Sequence, residues 1–208
     1  NKKSLLELAG LPVPADLDGN VAPPAGAPGV IAEFQDKTWF TPNLPTDQIW
    51  LFHLTLDWAN PANSTFGVGA TNDPNFQLAI SDVSENCAGR DCVPQGNAAQ
   101  KVDDIDFRLM HRLAYTNLGS SQAIVANMTV GAGGRAGVWW GEFQNAGAGW
   151  TTRQDGVYAP ADSDHRWMPS VAMDTNGNIM LGYSASSTSI PASSIAQVMA
   201  RYMAPVSR

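Results

Sequence analysis

Arg108-Leu-Met110-His-Arg-Leu-Ala114, followed by Gly119, returns 58 residues on as Arg166-Trp-Met168-Pro-Ser-Val-Ala172, followed by Gly177. One further step back places Phe52-His53 in register with Met110-His111, and Phe66 with Ile124. A fixed period is the mark of a stacked or radial array, in which each unit hides its apolar face against the next. The repeated unit reads as strands, so the period points to an all-β chain of β-propeller-type blades. Blades of about four strands usually span about 40–50 residues, and a period of 58 leaves room for one longer loop. The expected units are 47–104, 105–162 and 163–208, with 1–29 as an extended lead-in. A chain of 208 residues holds about 3.6 such units, whereas propellers close with about 4–8. The expectation is therefore an incomplete propeller, or one completed by a further polypeptide segment or chain.

Composition agrees with a turn-rich β protein. Charged residues are 15% of the chain, against about 25% for an ordinary globular domain, and lysines number only four. The net charge of −7 comes without any Lys/Arg run, which argues against nucleic-acid binding by phosphate neutralisation. No apolar stretch reaches the length of about 18 residues needed for a membrane span.

Cys87 and Cys92 enclose four residues, Ala-Gly-Arg-Asp. A disulfide can close that ring across a turn. A zinc pair is the rival reading, but zinc wants two further ligands, and His53, His111 and His165 are scattered. The disulfide is preferred, no metal or other cofactor is expected, and the compartment implied is secreted, periplasmic or cell-surface. The start at Asn1-Lys2-Lys3 reads as a mature or processed piece.

Along the chain, Ser4-Leu-Leu-Glu7 matches a capping box for a short helical turn. The Pro/Gly/Ala-rich stretch from Leu11 to Gly29 follows. Strand-like runs come at Val30–Phe34, Ile49–Leu56, Phe76–Ile80, Leu109–Thr116, Ala123–Val130, Gly137–Phe143, Val171–Asp174, Asn178–Ser184 and Ile195–Tyr202, separated by turn residues. Asn176-Gly177 between apolar flanks predicts a hairpin with a type I′ turn, whose two central residues both need φ > 0. Gly119 marks the equivalent turn one period earlier. The tail at Ala200-Arg-Tyr-Met203 reads as a strand in mid-blade.

His53…Asp57-Trp-Ala-Asn-Pro, Arg108-Leu-Met-His-Arg-Leu-Ala-Tyr115, Gly134-Arg-Ala-Gly-Val138 and Asp164-His-Arg-Trp-Met168 with Asp174…Gly-Asn-Ile together resemble a family of uncharacterised secreted bacterial proteins with sialidase-like propeller repeats. The resemblance runs over roughly residues 12–203 and implies a propeller fold without an activity to carry over. The Asp-box of sialidases, Ser-x-Asp-x-Gly-x-Thr-Trp, is not intact; Ser163-Asp-His-Arg-Trp and Asp155-Gly-Val-Tyr are loose reminders of it.

The most polar cluster is Asp162-Ser-Asp164-His165-Arg166-Trp167. Its carboxylates, imidazole and guanidinium suit a polyhydroxylated ligand, with Trp167 as a platform for a sugar ring. Asp104-Ile-Asp106-Phe-Arg108 repeats the acids before the arginine, so the structural reading, Asp and Arg tying neighbouring blades together, outweighs the functional one. Of the consecutive Trp139 and Trp140, one indole is expected inside the blade and the other outward, where Trp140 is a further candidate for stacking on sugar. Asp57, Glu142, Asp162 and Asp164 supply carboxylate pairs for glycoside hydrolysis, which needs two carboxyls roughly 5–10 Å apart. His53 and His111 share a repeat position, read as a metal pair or, in preference, as inter-blade hydrogen bonding. Asp174-Thr-Asn-Gly-Asn178 lacks the downstream Glu of a calcium loop. No nucleophile elbow, phosphate loop, dinucleotide fingerprint or zinc-protease motif occurs.

Two functions are left facing each other. One is a carbohydrate-binding, sialidase-like propeller, with hydrolysis as a lesser variant. The other is a non-catalytic structural or adhesion module that binds a protein partner. An open pocket with unpaired carboxylates at Asp162–Trp167 favours the first; mutual ion pairs buried between blades favour the second.

Overall fold

A computed structural model describes residues 11–40, 42–96, 99–192 and the backbone of 195–198. The capping box at Ser4–Glu7 and the tail at Ala200–Met203 fall outside the described residues. Among those residues the chain is all-β, with twelve strands: β1 Val13–Asp18, β2 Gly29–Gln35, β3 Gln48–Thr55, β4 Thr65–Phe66, β5 Phe76–Ala79, β6 Leu113–Asn117, β7 Gln122–Ala132, β8 Arg135–Asn145, β9 Trp150–Tyr158, β10 His165–Met173, β11 Ile179–Ser186 and β12 Ile195–Val198. None of the described helices is long and apolar enough to cross a membrane.

The strands form three antiparallel groups. β1, β2 and β3 run as a meander, with β4 and β5 both pairing with β3. β6 to β9 form a second meander, and β10 to β12 a third. β1 also lies parallel to β6, Ala15 opposite Leu113 through Asp18 opposite Thr116, which joins the first two groups in one curled sheet. The second and third groups fall within the expected units 105–162 and 163–208. The first does not start at residue 47: β1 and β2 belong to it, so the lead-in of residues 1–29 contains a paired strand. Two prolines and two aspartates in and beside Val13–Asp18 hide that strand from pattern reading, since Pro removes a ladder donor. The echo at Phe52-His53 also fails as a structural equivalence. Those residues lie in the third strand of their group, whereas Met110-His111 precede the first strand of the next.

Alternation along β7 and β8 shows how the groups pack. Ile124, Ala126, Met128, Val130, Trp139 and Phe143 join Val30, Ala32, Phe34, Ile49 and Leu51 in one core. Their immediate neighbours Ala123, Val125 and Val138 join Val171, Met173, Ile179, Leu181 and Tyr183 in another. Successive side chains in a strand point to opposite faces, so the middle sheet is buried on both sides, between the first group and the third. Trp140 therefore does not face solvent as an outward platform; it is half-buried against the second core, while Trp139 lies in the first.

Polar ties fasten the groups. The Asp18 carboxylate, at the end of β1, pairs with Arg112 just before β6 and accepts the Met173 N–H of β10 at 3.3 Å. Within the second group, Glu142 is buried and held by Arg153 at 2.8 Å and the Gln144 amide at 2.9 Å. The hairpin at Asn176-Gly177 exists, but its turn is wider than a type I′. Only Gly177 has positive φ, at 78°, because the Asp174 carboxylate accepts the N–H groups of Asn176 at 2.9 Å and Asn178 at 2.8 Å. That local bonding stabilises an Asx-type turn, and it occupies the carboxylate that a calcium loop would use.

Candidate functional site

The cluster expected from Asp162–Trp167 is a clamp. Arg166 is 8% exposed and meets Asp162 with two parallel hydrogen bonds, Nη1 to Oδ1 at 2.9 Å and Nη2 to Oδ2 at 2.6 Å. Its guanidinium carbon lies 5.7 Å from the Tyr158 ring centre and 5.8 Å from that of Tyr183. Tyr158 ends β9 and Tyr183 sits in β11, so one cation bridges the second and third groups. Charge-assisted bidentate pairing and ring stacking suit arginine in a partly desolvated place. The bond to Arg166 holds the Asp162 carboxyl down at about 2. Asp164 donates its N–H to Asp162 Oδ1 at 3.0 Å. His165 accepts the Ala136 N–H on Nδ1 at 3.1 Å, and burial lowers its pKa. Trp167 is buried and donates to Ser186 Oγ at 3.1 Å. A sugar platform needs an open indole face, and this one is closed.

The repeat counterpart behaves differently, contrary to the expectation that both copies tie blades. Asp106 accepts the Cys87 N–H at 3.0 Å, and Asp104 accepts the Asn86 side-chain amide at 2.7 Å. Arg108 has no acid partner among the described residues and faces open space. That space is a groove of about 910 Å³ beside the Cys87–Cys92 ring, with Trp39, Glu85, Arg90, Asp103, Phe107 and Arg108 on its walls.

Trp39 is positioned from the sequence upward. Asp36 caps the short 3-10 turn Lys37–Trp39, accepting the Thr38 N–H and hydroxyl, each at 2.6 Å, as N-cap aspartates do. The indole then stands edge-on to Phe34 at 5.7 Å and Phe107 at 6.2 Å, and these two meet each other at 5.2 Å. Two aromatic supports fix the ring while 41% of the residue stays exposed. Opposite it, Ile105 and Phe107 have φ of 49° and 61°, a left-handed backbone that costs such residues about 1–3 kcal/mol each and is kept where surroundings over-determine it. The Asp103 carboxylate holding the Ile105 N–H at 2.9 Å and the Thr129 carbonyl holding that of Phe107 at 3.1 Å supply that determination. Of the groove carboxylates, Asp36, Asp103 and Asp106 are engaged with backbone amides, and Glu85 is exposed.

Cys87 and Cys92 form the disulfide, with Cα atoms 5.6 Å apart, and the intervening ring forms part of the groove wall. Behind it Asp104 is wholly buried, and burial pushes its pKa up to about 6. His53 and His111 do not form a pair: His53 packs on Phe76 at 5.5 Å, and His111 is exposed on the segment before β6. Trp39 and the groove escaped sequence reading because they join residues near 36, 87 and 106, a convergence that no spacing encodes. No protein-family model, curated protein or solved structure matches the chain.

Proposed function

We propose that the chain is an exported, propeller-type protein that binds a glycan in the groove beside the Cys87–Cys92 ring and does not hydrolyse it. The observation that carries the reading is Trp39, a solvent-facing indole braced by Phe34 and Phe107 above a polar groove. A rigid aromatic face flanked by carboxylate and guanidinium groups suits the stacked C–H face and hydroxyl rim of a sugar. The disulfide and the motif resemblance to secreted sialidase-like proteins support export. Binding is favoured over hydrolysis because three of the groove's four acids are spent on backbone amides, which leaves Glu85 without a second free carboxylate.

In this proposal each antiparallel group is a blade, and β1, β6 and β10, tied by Asp18, are the innermost strands. The middle blade has a neighbour on both faces. The third has Met168 and Met180 exposed at 44% and 45% on its far side, where a further blade from another polypeptide segment or chain fits.

The test is binding to an immobilised oligosaccharide panel. Wild type binds a subset of the panel, and Trp39→Ala loses it while keeping the wild-type circular dichroism spectrum. Equal binding by Trp39→Ala, or a panel with no bound member, refutes the reading. The rival, a structural or adhesion module with a protein partner, draws on the Asp162–Arg166 clamp and predicts no glycan bound at all.

A further inference from the structure

The Cys87–Cys92 ring carries a second arrangement that its disulfide conceals. The two Sγ atoms and a carboxylate oxygen of Asp104 all lie within 4.8 Å of one another, the sole grouping of three or more such ligand atoms among the described residues. Asp104 is 0% exposed. Its Oδ2 accepts Asn86 Nδ2 at 2.7 Å, and the same amide lies 3.2 Å from Cys92 Sγ. Oδ1 is buried and has no hydrogen-bond partner. An unpaired carboxylate oxygen buried beside two sulfurs costs free energy that a cation recovers.

We propose that Cys87, Cys92 and Asp104 form a redox-gated site for a thiophilic divalent cation of the zinc type, closed in the disulfide form and assembled on reduction. The inference is independent of what the groove binds. The chemistry balances with a dithiol reductant. Two electrons and two protons pass from the dithiol, which becomes a disulfide, to the Cys87–Cys92 bond, which breaks to two thiols. The dication then displaces both thiol protons and is held by two thiolates and the Asp104 carboxylate. Tetrahedral zinc places sulfur at about 2.3 Å and oxygen at about 2.0–2.2 Å, so its ligand atoms sit within about 4 Å of each other. The present spacing is close to that, and separation of the sulfurs is the main movement required. Cys87 lines the groove, which gives an incoming cation a route to the sulfurs, and three protein ligands are the complement of zinc sites that keep one position for water. The backbone is already anchored for this: Asp106 holds the Cys87 N–H at 3.0 Å, and Val93 and Val102 exchange backbone hydrogen bonds at 3.0 Å on the other side of the ring.

The test is an anaerobic titration of the dithiothreitol-reduced full chain with Co²⁺, removing excess reductant first. Reduced wild type is expected to show thiolate-to-cobalt charge-transfer absorption and the strong visible bands of tetrahedral cobalt, both bleached by Zn²⁺, while the oxidised chain shows neither. Asp104→Asn keeps the hydrogen bond to Asn86 and both thiols, and is expected to weaken Co²⁺ binding at least about tenfold; Asp174→Asn, in the turn between β10 and β11, is expected to leave it unchanged. Absence of the bands in reduced wild type overturns the proposal. So does an affinity unaltered in Asp104→Asn, which is the result if the reduced chain unfolds and two loose thiols bind cobalt by themselves.

Discussion

Ile124 and Val125 are consecutive in β7 and both wholly buried, in different cores. In a sheet covered on one face, one of them would meet water, and its truncation would cost little. Here both truncations are costly. Ile124→Ala removes three carbons and Val125→Ala two, each worth about 0.8 kcal/mol on transfer. Adding the cavity left in a core that relaxes only in part gives about 3–4 kcal/mol for Ile124→Ala and about 2–3 kcal/mol for Val125→Ala. The measurement is equilibrium urea unfolding by tryptophan fluorescence and circular dichroism, with the two probes coincident and the m-value unchanged. In a chain of this size the same losses lower Tm by roughly 2–4 °C per kcal/mol. A cost for Val125→Ala below about 0.5 kcal/mol, the scale of a surface substitution, would refute the packing of the third group on the second.

Other outcomes follow from single contacts. The Asp162 carboxyl is held at about 2, below its ordinary 3.8, so its contribution is present above the unfolded value and is lost as pH falls from about 4 toward 2. Asp162→Asn is expected to flatten that acid limb of an unfolding profile while leaving stability near pH 7 lower than wild type; an unchanged acid limb contradicts the clamp. Asp104 has the opposite sign: burial raises it to about 6, so native stability falls as pH rises from about 4 to 6, and the difference between Asp104→Asn and wild type grows in the variant's favour across that window. Gly177→Ala puts a Cβ into open space but at φ 78°, so urea unfolding is expected to show a loss of about 1 kcal/mol from backbone conformation alone. Trp39→Ala, as an exposed anchor, is expected to weaken glycan binding by about 2 kcal/mol, roughly thirtyfold, in titration calorimetry.

The all-β class was legible because Gly, Pro and Asn punctuate short apolar runs, and most strands fell where those runs are. Three strands escaped for different reasons. Val13–Asp18 carries a proline and two aspartates. Thr65–Phe66 is too short for a pattern. Trp150–Tyr158 is polar because it lies at the outer edge of its sheet. The period joined Leu113 to Val171, which lie in the first strands of the second and third groups, but carried one step too far to Phe52, since the first and second groups are separated by the long segment 80–112. The disulfide was legible from spacing. The polar cluster at Asp162–Trp167 was legible as a cluster and not as a clamp, because Tyr158, Tyr183 and Arg166 meet only through the packing of two sheets. The groove was not legible at all: Phe107 reaches Phe34 and Trp39 only through tertiary packing.

Glycan binding at Trp39 is tested most directly by following the indole N–H resonances of ¹⁵N-labelled protein during titration with the tightest oligosaccharide from the panel, each Trp assigned by its Phe variant. Trp39 is expected to shift and saturate with the binding curve, while Trp140 and Trp167 hold their positions. Saturable shifts at Trp140 or Trp167 with Trp39 unmoved would place the ligand on the clamp between the second and third groups and contradict binding at Trp39.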